Sequence, residues 1–112
     1  MSIDFNGTDI ETTATGYLAE PEDWSEDLAR HMAAMEDIEL TDAHWDIINF
    51  LREEYFDNGG NQPNTRAIVK AMSEAWGRNV DTTALYELFP LDPSKQGGRV
   101  AGLPESRRKG GY

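Results

Sequence analysis

Apolar residues recur every three or four positions over most of residues 24–88, and this helical period limits the chain to a mainly α-helical fold. Four such stretches are present, and each predicts a helix with one buried face. The residues of these faces are Trp24, Leu28, Met32 and Met35 in the first, Trp45, Ile48, Leu51 and Tyr55 with Ile47 in the second, Ile68, Val69, Met72 and Trp76 in the third, and Leu85 and Leu88 in the fourth.

Residues that cap or stop helices mark the boundaries between these stretches. Acidic side chains near the predicted start of the first helix favour a helix amino terminus. The predicted boundaries are an entry at Pro21 or Asp23, a second helix from the cap Thr41 to about Phe56, a third from Asn64 or Thr65 to Trp76 before Gly77, and a fourth from Asp81 or Thr82 to a stop before Pro90.

The amino-terminal residues have the pattern of a β-hairpin instead. Residues 3–10 alternate apolar and polar side chains about Asn6-Gly7, a pair that tolerates the positive φ angles of a two-residue turn. Gly16-Tyr17-Leu18 is predicted to be a third short strand or an extended segment. The fold class is therefore α+β, mostly helical, with a small hairpin and about four helices in an orthogonal bundle.

The last part of the chain shows neither the helical spacing of apolar residues nor the alternation of a strand. Residues 91–112 are rich in glycine, proline and charge, so they are predicted to form an extended arm that is ordered only where it docks. With 112 residues the chain is predicted to be one domain, with a globular part over 1–90 and the arm over 91–112.

The charge is unevenly distributed along the chain. Residues 1–93 contain twenty Asp and Glu against five Lys and Arg, whereas residues 94–112 contain five Lys and Arg against one Glu. A basic tail of this kind can fold back on the acidic body or contact an acidic partner.

The sequence favours a cytoplasmic protein without membrane insertion. No apolar run approaches membrane-spanning length, and no charged-then-apolar leader is present. The chain contains no cysteine, which excludes disulfides and thiolate zinc sites. No cofactor is predicted, and the sequence leaves the oligomeric state open.

Four segments, in the expected order, resemble the DsrC/TusE/DsvC family of small proteins that carry sulfur on cysteine. The first is Gly16-Tyr17-Leu18 followed by Asp23-Trp24, and the second is residues 40–55. The third is residues 66–70 and the fourth is residues 85–90. In addition, residues 95–104, which read Lys-Gln-Gly-Gly-Arg-Val-Ala-Gly-Leu-Pro, resemble the family's carboxyl-terminal arm. The resemblance implies the DsrC-like fold.

The positions of the family's cysteines are occupied by glycine. In the family one cysteine directly precedes the Arg-x-Ala-Gly-Leu-Pro run and a second is the penultimate residue, and the matching residues here are Gly98 and Gly111. A persulfide or disulfide requires a thiolate, so the chain is predicted not to be an enzyme. Relatives place the cysteine-bearing arm in a partner's active site. The resemblance therefore implies a partner-binding arm, with contacts from Lys95, Gln96, Arg99, Gly102, Leu103 and Pro104.

Three functional hypotheses follow. The first is a noncatalytic DsrC/TusE-like protein that acts as a regulatory or docking partner of sulfur-relay or sulfite-reductase-type proteins. The second is a sulfurtransferase of this family, a sulfur carrier for sulfite reduction or tRNA 2-thiolation, whose cysteines are lost or replaced. The third is a DNA-binding regulator in which residues 41–56 and 65–76 form a helix-turn-helix-like unit, with Arg66 and Lys70 at phosphates. The acidic body disfavours nucleic acid as a partner.

Other candidate sites lack the required residue patterns. His44 and His31 lie on different predicted helices with no second ligand at a suitable spacing, so no metal site is predicted. Asp57 is followed by Asn-Gly-Gly but lacks the remaining ligands of a calcium loop. Ser94 and Ser106 have neither a nucleophile elbow nor a neighbouring histidine, which excludes a serine enzyme.

Overall fold

The computed structural model describes residues 1–105, and it shows a two-stranded hairpin followed by helices. None of these helices is both long and apolar enough to span a bilayer. The elements are β1 (Ser2–Phe5), β2 (Thr8–Glu11), one 3-10 turn (Pro21–Asp23), α1 (Glu26–Ala34), α2 (Asp42–Asp57), α3 (Thr65–Trp76), α4 (Thr82–Leu88) and α5 (Pro93–Val100).

The predicted hairpin is confirmed. Strands β1 and β2 pair in antiparallel orientation with Ile3 opposite Ile10. Asn6 and Gly7 have φ angles of 53° and 82°, as a two-residue hairpin turn of type I′ requires. Both isoleucines are buried in one cluster with Leu28 of α1. This packing supplies the stability that two isolated strands lack.

The connection from the hairpin to α1 agrees with the prediction in part. Of the two alternatives for Gly16-Tyr17-Leu18, the third strand is not formed, because Leu18 makes only a single bridge to Thr12. Helix α1 begins later than expected, because the side chain of Ser25 accepts a hydrogen bond from a backbone amide of the first turn and acts as the N-cap. Trp24 therefore precedes the helix. Met35 follows α1 and is 61 % exposed, so its predicted place on the buried face is wrong.

Helix α2 starts at the predicted cap Thr41, but its buried face includes a histidine. The backbone N–H of Thr41 donates to Nδ1 of His44 at 3.0 Å, so Nε2 carries the ring hydrogen and donates to the carbonyl of Leu88 at 2.9 Å. Burial lowers the pKa of His44 below its usual value. A histidine with both nitrogens satisfied can be buried, which apolar spacing alone does not reveal. The buried residues of α2 are His44, Ile47, Ile48 and Leu51, whereas Trp45 and Tyr55 are half-buried.

The caps predicted for α3 and α4 are confirmed. The side chain of Asn64 accepts a hydrogen bond from the third residue of its helix, and Asp81 does the same for α4. Gly77 ends α3 with a φ of 65°, the left-handed conformation that glycine adopts without steric cost. Ile68 and Met72 are buried on α3 as predicted.

Helix α5 corrects the expectation that regular structure ends before Pro90. Asp92 caps it by accepting two backbone hydrogen bonds, and Pro93 occupies its first turn. The sequence hides this helix because two of its buried residues are glycines. Gly97 is needed for close packing, since a Cβ atom there would lie 3.2 Å from Cδ1 of Leu51. Residues 106–112, the end of the predicted arm, lie outside the described residues.

The α+β, mostly helical fold class is confirmed, with five helices in the described residues instead of four. Helix α5 contacts each of the other four helices, so it is central to the main core and not peripheral to it. Phe89, Val100 and Leu103 are almost completely buried in that core. The hairpin and α1 form a second, smaller cluster beside it. The carboxyl-terminal residues are thus held by packing against the whole domain.

Candidate functional site

Residues 95–104, called the C-terminal segment below, are held by donors from distant parts of the chain. Four side chains donate hydrogen bonds to backbone carbonyls of this segment. Three of the four donors belong to stretches that resemble the DsrC/TusE/DsvC family. The bonds run from Tyr17 to Lys95 at 3.3 Å, from Trp24 to Val100 at 2.9 Å, from Arg52 to Ala101 at 2.8 Å and from Gln62 to Pro104 at 2.8 Å.

Arg99 ties α5 to the turn after α1. Its guanidinium forms an ion pair with Glu36, and both side chains are only 22 % exposed. Nε2 of Gln96 donates to the same carboxylate oxygen at 3.0 Å, and Nη1 of Arg99 donates to the carbonyl of Thr15 at 3.3 Å. Burial raises the pKa of Tyr17, whose ring lies 5.8 Å from the Arg99 guanidinium, and that positive charge opposes part of the rise. The positive charge of Arg99 is thus balanced by Glu36, and hydrogen bonds to Thr15 and from Gln96 hold the pair in place.

Trp24 forms the second anchor of the C-terminal segment. The Arg52 guanidinium lies 3.8 Å from the centre of the indole ring, a cation–π geometry. Burial lowers the pKa of Arg52, but a guanidinium stays charged at any physiological pH. Gly102, which has a φ of 77°, lies directly against the side chain of Trp24. A Cβ atom at position 102 would be 2.6 Å from Cγ of Trp24. The glycine of the Ala-Gly-Leu-Pro run therefore permits this close approach.

Gly98 lies buried on α5 beside unfilled space. A Cβ atom built on it would meet no atom within 4 Å, in contrast to the neighbouring Gly97. The adjoining cavity has a volume of about 10 Å³ and is lined by Tyr17, Leu51 and Ser94, among others. This is about the space of one water molecule. A small side chain fits at position 98, where the family resemblance puts a cysteine. Gly111 lies outside the described residues.

The residues predicted to bind a partner separate into two groups. Gln96, Gly102 and Leu103 are buried, so they support the C-terminal segment from within the domain. Lys95, Arg99 and Pro104 are half-buried at its surface, and a direct partner contact by them stays a prediction. Sequence reasoning missed the supporting residues Glu36, Arg52 and Trp24, although the last two lie in stretches that carry the resemblance.

The remaining candidate residues lie elsewhere. Arg66 and Lys70 are exposed on α3, and their contact with nucleic acid stays a prediction. His44 is engaged in the α2 cap, away from His31, whose ring packs 5.3 Å from that of Phe5. Within residues 1–105, no three His, Asp or Glu side chains come together as a metal site.

Replacing Glu36 by glutamine is expected to lower the free energy of unfolding by about 1–3 kcal/mol, because Arg99 would lose its charged partner in a mostly buried place. The matched control is Asp27→Asn, since Asp27 pairs with Arg30 but is 82 % exposed. Loss of the Asp27–Arg30 ion pair is expected to lower the free energy of unfolding by less than about 0.5 kcal/mol. Urea unfolding of both variants measures the difference, and equal effects would contradict a structural role for the Glu36 pair.

Comparison with known proteins agrees with this architecture. "Sulfurtransferase TusE" of Sodalis glossinidius is 44 % identical over 104 residues, which cover 92 % of this chain and 95 % of that protein. The NMR structure of Allochromatium vinosum DsrC matches with a TM-score of 0.84 and 39 % identity over 96 % of both chains. The oxidized gamma-subunit of the dissimilatory sulfite reductase (DsrC) from Archaeoglobus fulgidus matches with a TM-score of 0.85 and 29 % identity over 96 % of this chain and 98 % of that one.

The prediction that the chain is not an enzyme is contradicted by these relatives. The Sodalis glossinidius protein and others of about 40 % identity carry the name sulfurtransferase, which points to a role in sulfur transfer. The absence of cysteine shows only that this chain carries no thiol of its own. It does not decide whether the chain takes part in a transfer between other thiols, so the inference from composition to activity was too broad.

The family itself follows from the extent of the match. The model for DsrC-like proteins covers residues 4–108, nearly the whole chain. Hydrogen bonds from Trp24 and Arg52 join two of the stretches that carried the resemblance to the C-terminal segment. The chain therefore belongs to the DsrC-like protein family, which includes the TusE sulfurtransferases.

Proposed function

We propose that this chain acts in sulfur relay as a docking and regulatory partner, which binds the proteins that its cysteine-bearing relatives bind. The observation that supports this proposal most is the C-terminal segment. Hydrogen bonds from four distant side chains and the Arg99–Glu36 ion pair hold it in place. A segment anchored in this way pays little ordering entropy when a partner binds.

The chemistry of transfer requires a thiol from elsewhere. The thiolate is both the nucleophile and the sulfur carrier in persulfide exchange, and this chain contains no cysteine. In the proposed role the chain positions a partner, and the thiols that exchange sulfur belong to the proteins it brings together. This assignment agrees with the sulfurtransferase names of the relatives, since it keeps the chain within a transfer process.

The proposed partners are proteins of sulfur-relay or sulfite-reductase type. The names of the relatives support these two classes, one through the TusE sulfurtransferases and one through the gamma-subunit of a dissimilatory sulfite reductase. Lys95 and Pro104 are half-buried and lie beside the cavity at Gly98, so they are the proposed contact residues. A cytoplasmic location is part of the same proposal.

A second candidate function is that of a TusE-type sulfurtransferase with a thiol at position 98. The observation that favours it is the open space at Gly98, where a Cβ atom meets nothing within 4 Å. The fold thus retains room for the side chain that the family's chemistry requires. The substitution Gly98→Cys, which introduces a thiol at this position, tests this candidate.

A retention experiment tests the docking role. The tagged chain is passed over two immobilised baits: the dissimilatory sulfite reductase of Archaeoglobus fulgidus freed of its gamma-subunit, and the proteins that the Sodalis glossinidius TusE captures from an extract of that organism. We expect retention on one bait. Lys95→Glu is expected to reduce it about threefold or more, because a charge at the edge of the contact is reversed.

Lys70→Glu is the matched control, since Lys70 is exposed on α3 and the change in charge is the same. The control variant is expected to bind like the wild type. Failure of the wild-type chain to bind either bait would refute the docking role. An equal loss in both variants would show that net charge, and not the C-terminal segment, governs retention.

A further inference from the structure

A groove between α2 and α3 forms a second surface that shares no lining residue with the C-terminal segment. Asp46, Phe50 and Glu53 are spaced by four and three positions, so they lie on one face of α2, away from the buried face at Ile48. The groove has a volume of about 350 Å³. Its position on two well-formed helices makes it a fixed feature of the fold.

The floor of the groove is apolar and open because small residues line one wall. Ala71 and Ala75 are one turn apart on α3, and their side chains leave a trough beside the half-buried ring of Phe50. Trp76 closes one end, where its Nε1 donates to Oδ2 of Asp46 at 2.7 Å. An apolar trough of this shape fits the apolar side chains of a helix.

The rim of the groove carries uncompensated negative charge. Asp46 and Glu53 are both exposed. Within residues 1–105, the salt bridges of the structure involve neither residue, and no lysine or arginine lines the groove. Seven residues of helix separate the two carboxylates, which corresponds to about 10 Å along the axis. A ligand with two cations at this separation would match both.

We propose that this groove binds a short amphipathic helix of a partner protein, with an apolar stripe flanked by lysine or arginine residues seven positions apart. The stripe lies over Ala71 and Ala75, and the two cations pair with Asp46 and Glu53. The net charge of −11 attracts such a helix from a distance. Because the groove is separate from Gly98, the chain can hold this helix and a relay partner at the same time.

The test uses the full chain and a labelled, amidated helical peptide of about fifteen residues, with leucines at i, i+3, i+4 and i+7 and two lysines seven positions apart. Fluorescence anisotropy measures binding. Ala75→Gln, an exposed change that fills the trough, is expected to weaken binding about tenfold or more. Asp46→Asn with Glu53→Gln is expected to weaken it about three- to tenfold, as two exposed ion pairs contribute modestly.

The control variant carries Glu22→Gln and Glu87→Gln, which make the same charge change at exposed positions outside the groove. The control is expected to bind like the wild type, and thermal unfolding confirms that each variant is folded. Equal binding of a peptide with glutamate in place of lysine would refute the proposal, as would an equal loss in the control variant. A wild-type dimer that Ala75→Gln dissociates would assign the groove to a second copy instead. All these readouts are independent of relay-partner binding, so they distinguish this proposal from the docking role.

Discussion

Replacing Gly102 by alanine is expected to lower the free energy of unfolding by about 2–5 kcal/mol, from backbone strain together with overpacking. The φ of 77° at this residue is unfavourable for any side chain with a Cβ atom. The added Cβ would also lie 2.6 Å from Cγ and 2.8 Å from Cβ of Trp24. The indole cannot move aside freely, because it donates to Val100 and stacks under Arg52.

Gly98→Ala is the matched control for this prediction. Gly98 is also buried in the C-terminal segment, but it is helical and its Cβ direction is open. Alanine there is expected to raise the free energy of unfolding by about 0.5–1 kcal/mol, since alanine loses less backbone entropy in a helix. Urea unfolding measures both variants. If Gly102→Ala were as stable as the wild type, the contact between Trp24 and Gly102 would not anchor the segment.

Gly98→Cys is expected to give a folded protein that takes up sulfane sulfur, which the wild type cannot do. The side chain enters open space, and the free energy of unfolding is expected to change by less than about 1 kcal/mol. On incubation with a low-molecular-weight persulfide, the introduced thiolate attacks the outer sulfur and the donor leaves as its thiolate. Mass spectrometry detects the added sulfur, and cyanolysis releases it.

Gly97→Cys is the control for the position of the thiol. Its Cβ would lie 3.2 Å from Leu51 and 3.6 Å from the ring of Phe89, so this variant is expected to lose about 1–3 kcal/mol of stability. A stable Gly98→Cys protein that remains free of sulfur would argue against a sulfurtransferase site at this position. Equal stability of the two variants would contradict the packing described for α5.

Local signals in the sequence predicted much of the fold. The turn at Asn6-Gly7 and the helix caps Thr41, Asn64 and Asp81 depend on hydrogen bonds or φ angles within a few residues. The turn and the helix starts can therefore be predicted from a short stretch of sequence. The burial of His44 was not predictable in this way, because it depends on the carbonyl of Leu88 in another helix.

The candidate site was less predictable, because it depends on contacts between distant residues. Helix α5 contains two buried glycines, of which Gly97 packs against Leu51 and Phe89, and in sequence these glycines indicate a flexible arm. The anchors Trp24 and Glu36 lie more than sixty residues from Val100 and Arg99, their partners. The family resemblance drew attention to this segment, but it did not give the reason for the glycine at position 102.

The central claim is that this chain retains the docking surface of its relatives without a thiol of its own. Calorimetric titration of the wild-type chain into a protein that is captured from a Sodalis glossinidius extract by the TusE of that organism, beside titration of that TusE itself, tests the claim most directly. We expect the two dissociation constants to agree within about tenfold, a difference of about 1.4 kcal/mol. No heat of binding from this chain, under conditions where the TusE saturates the partner, would contradict the claim.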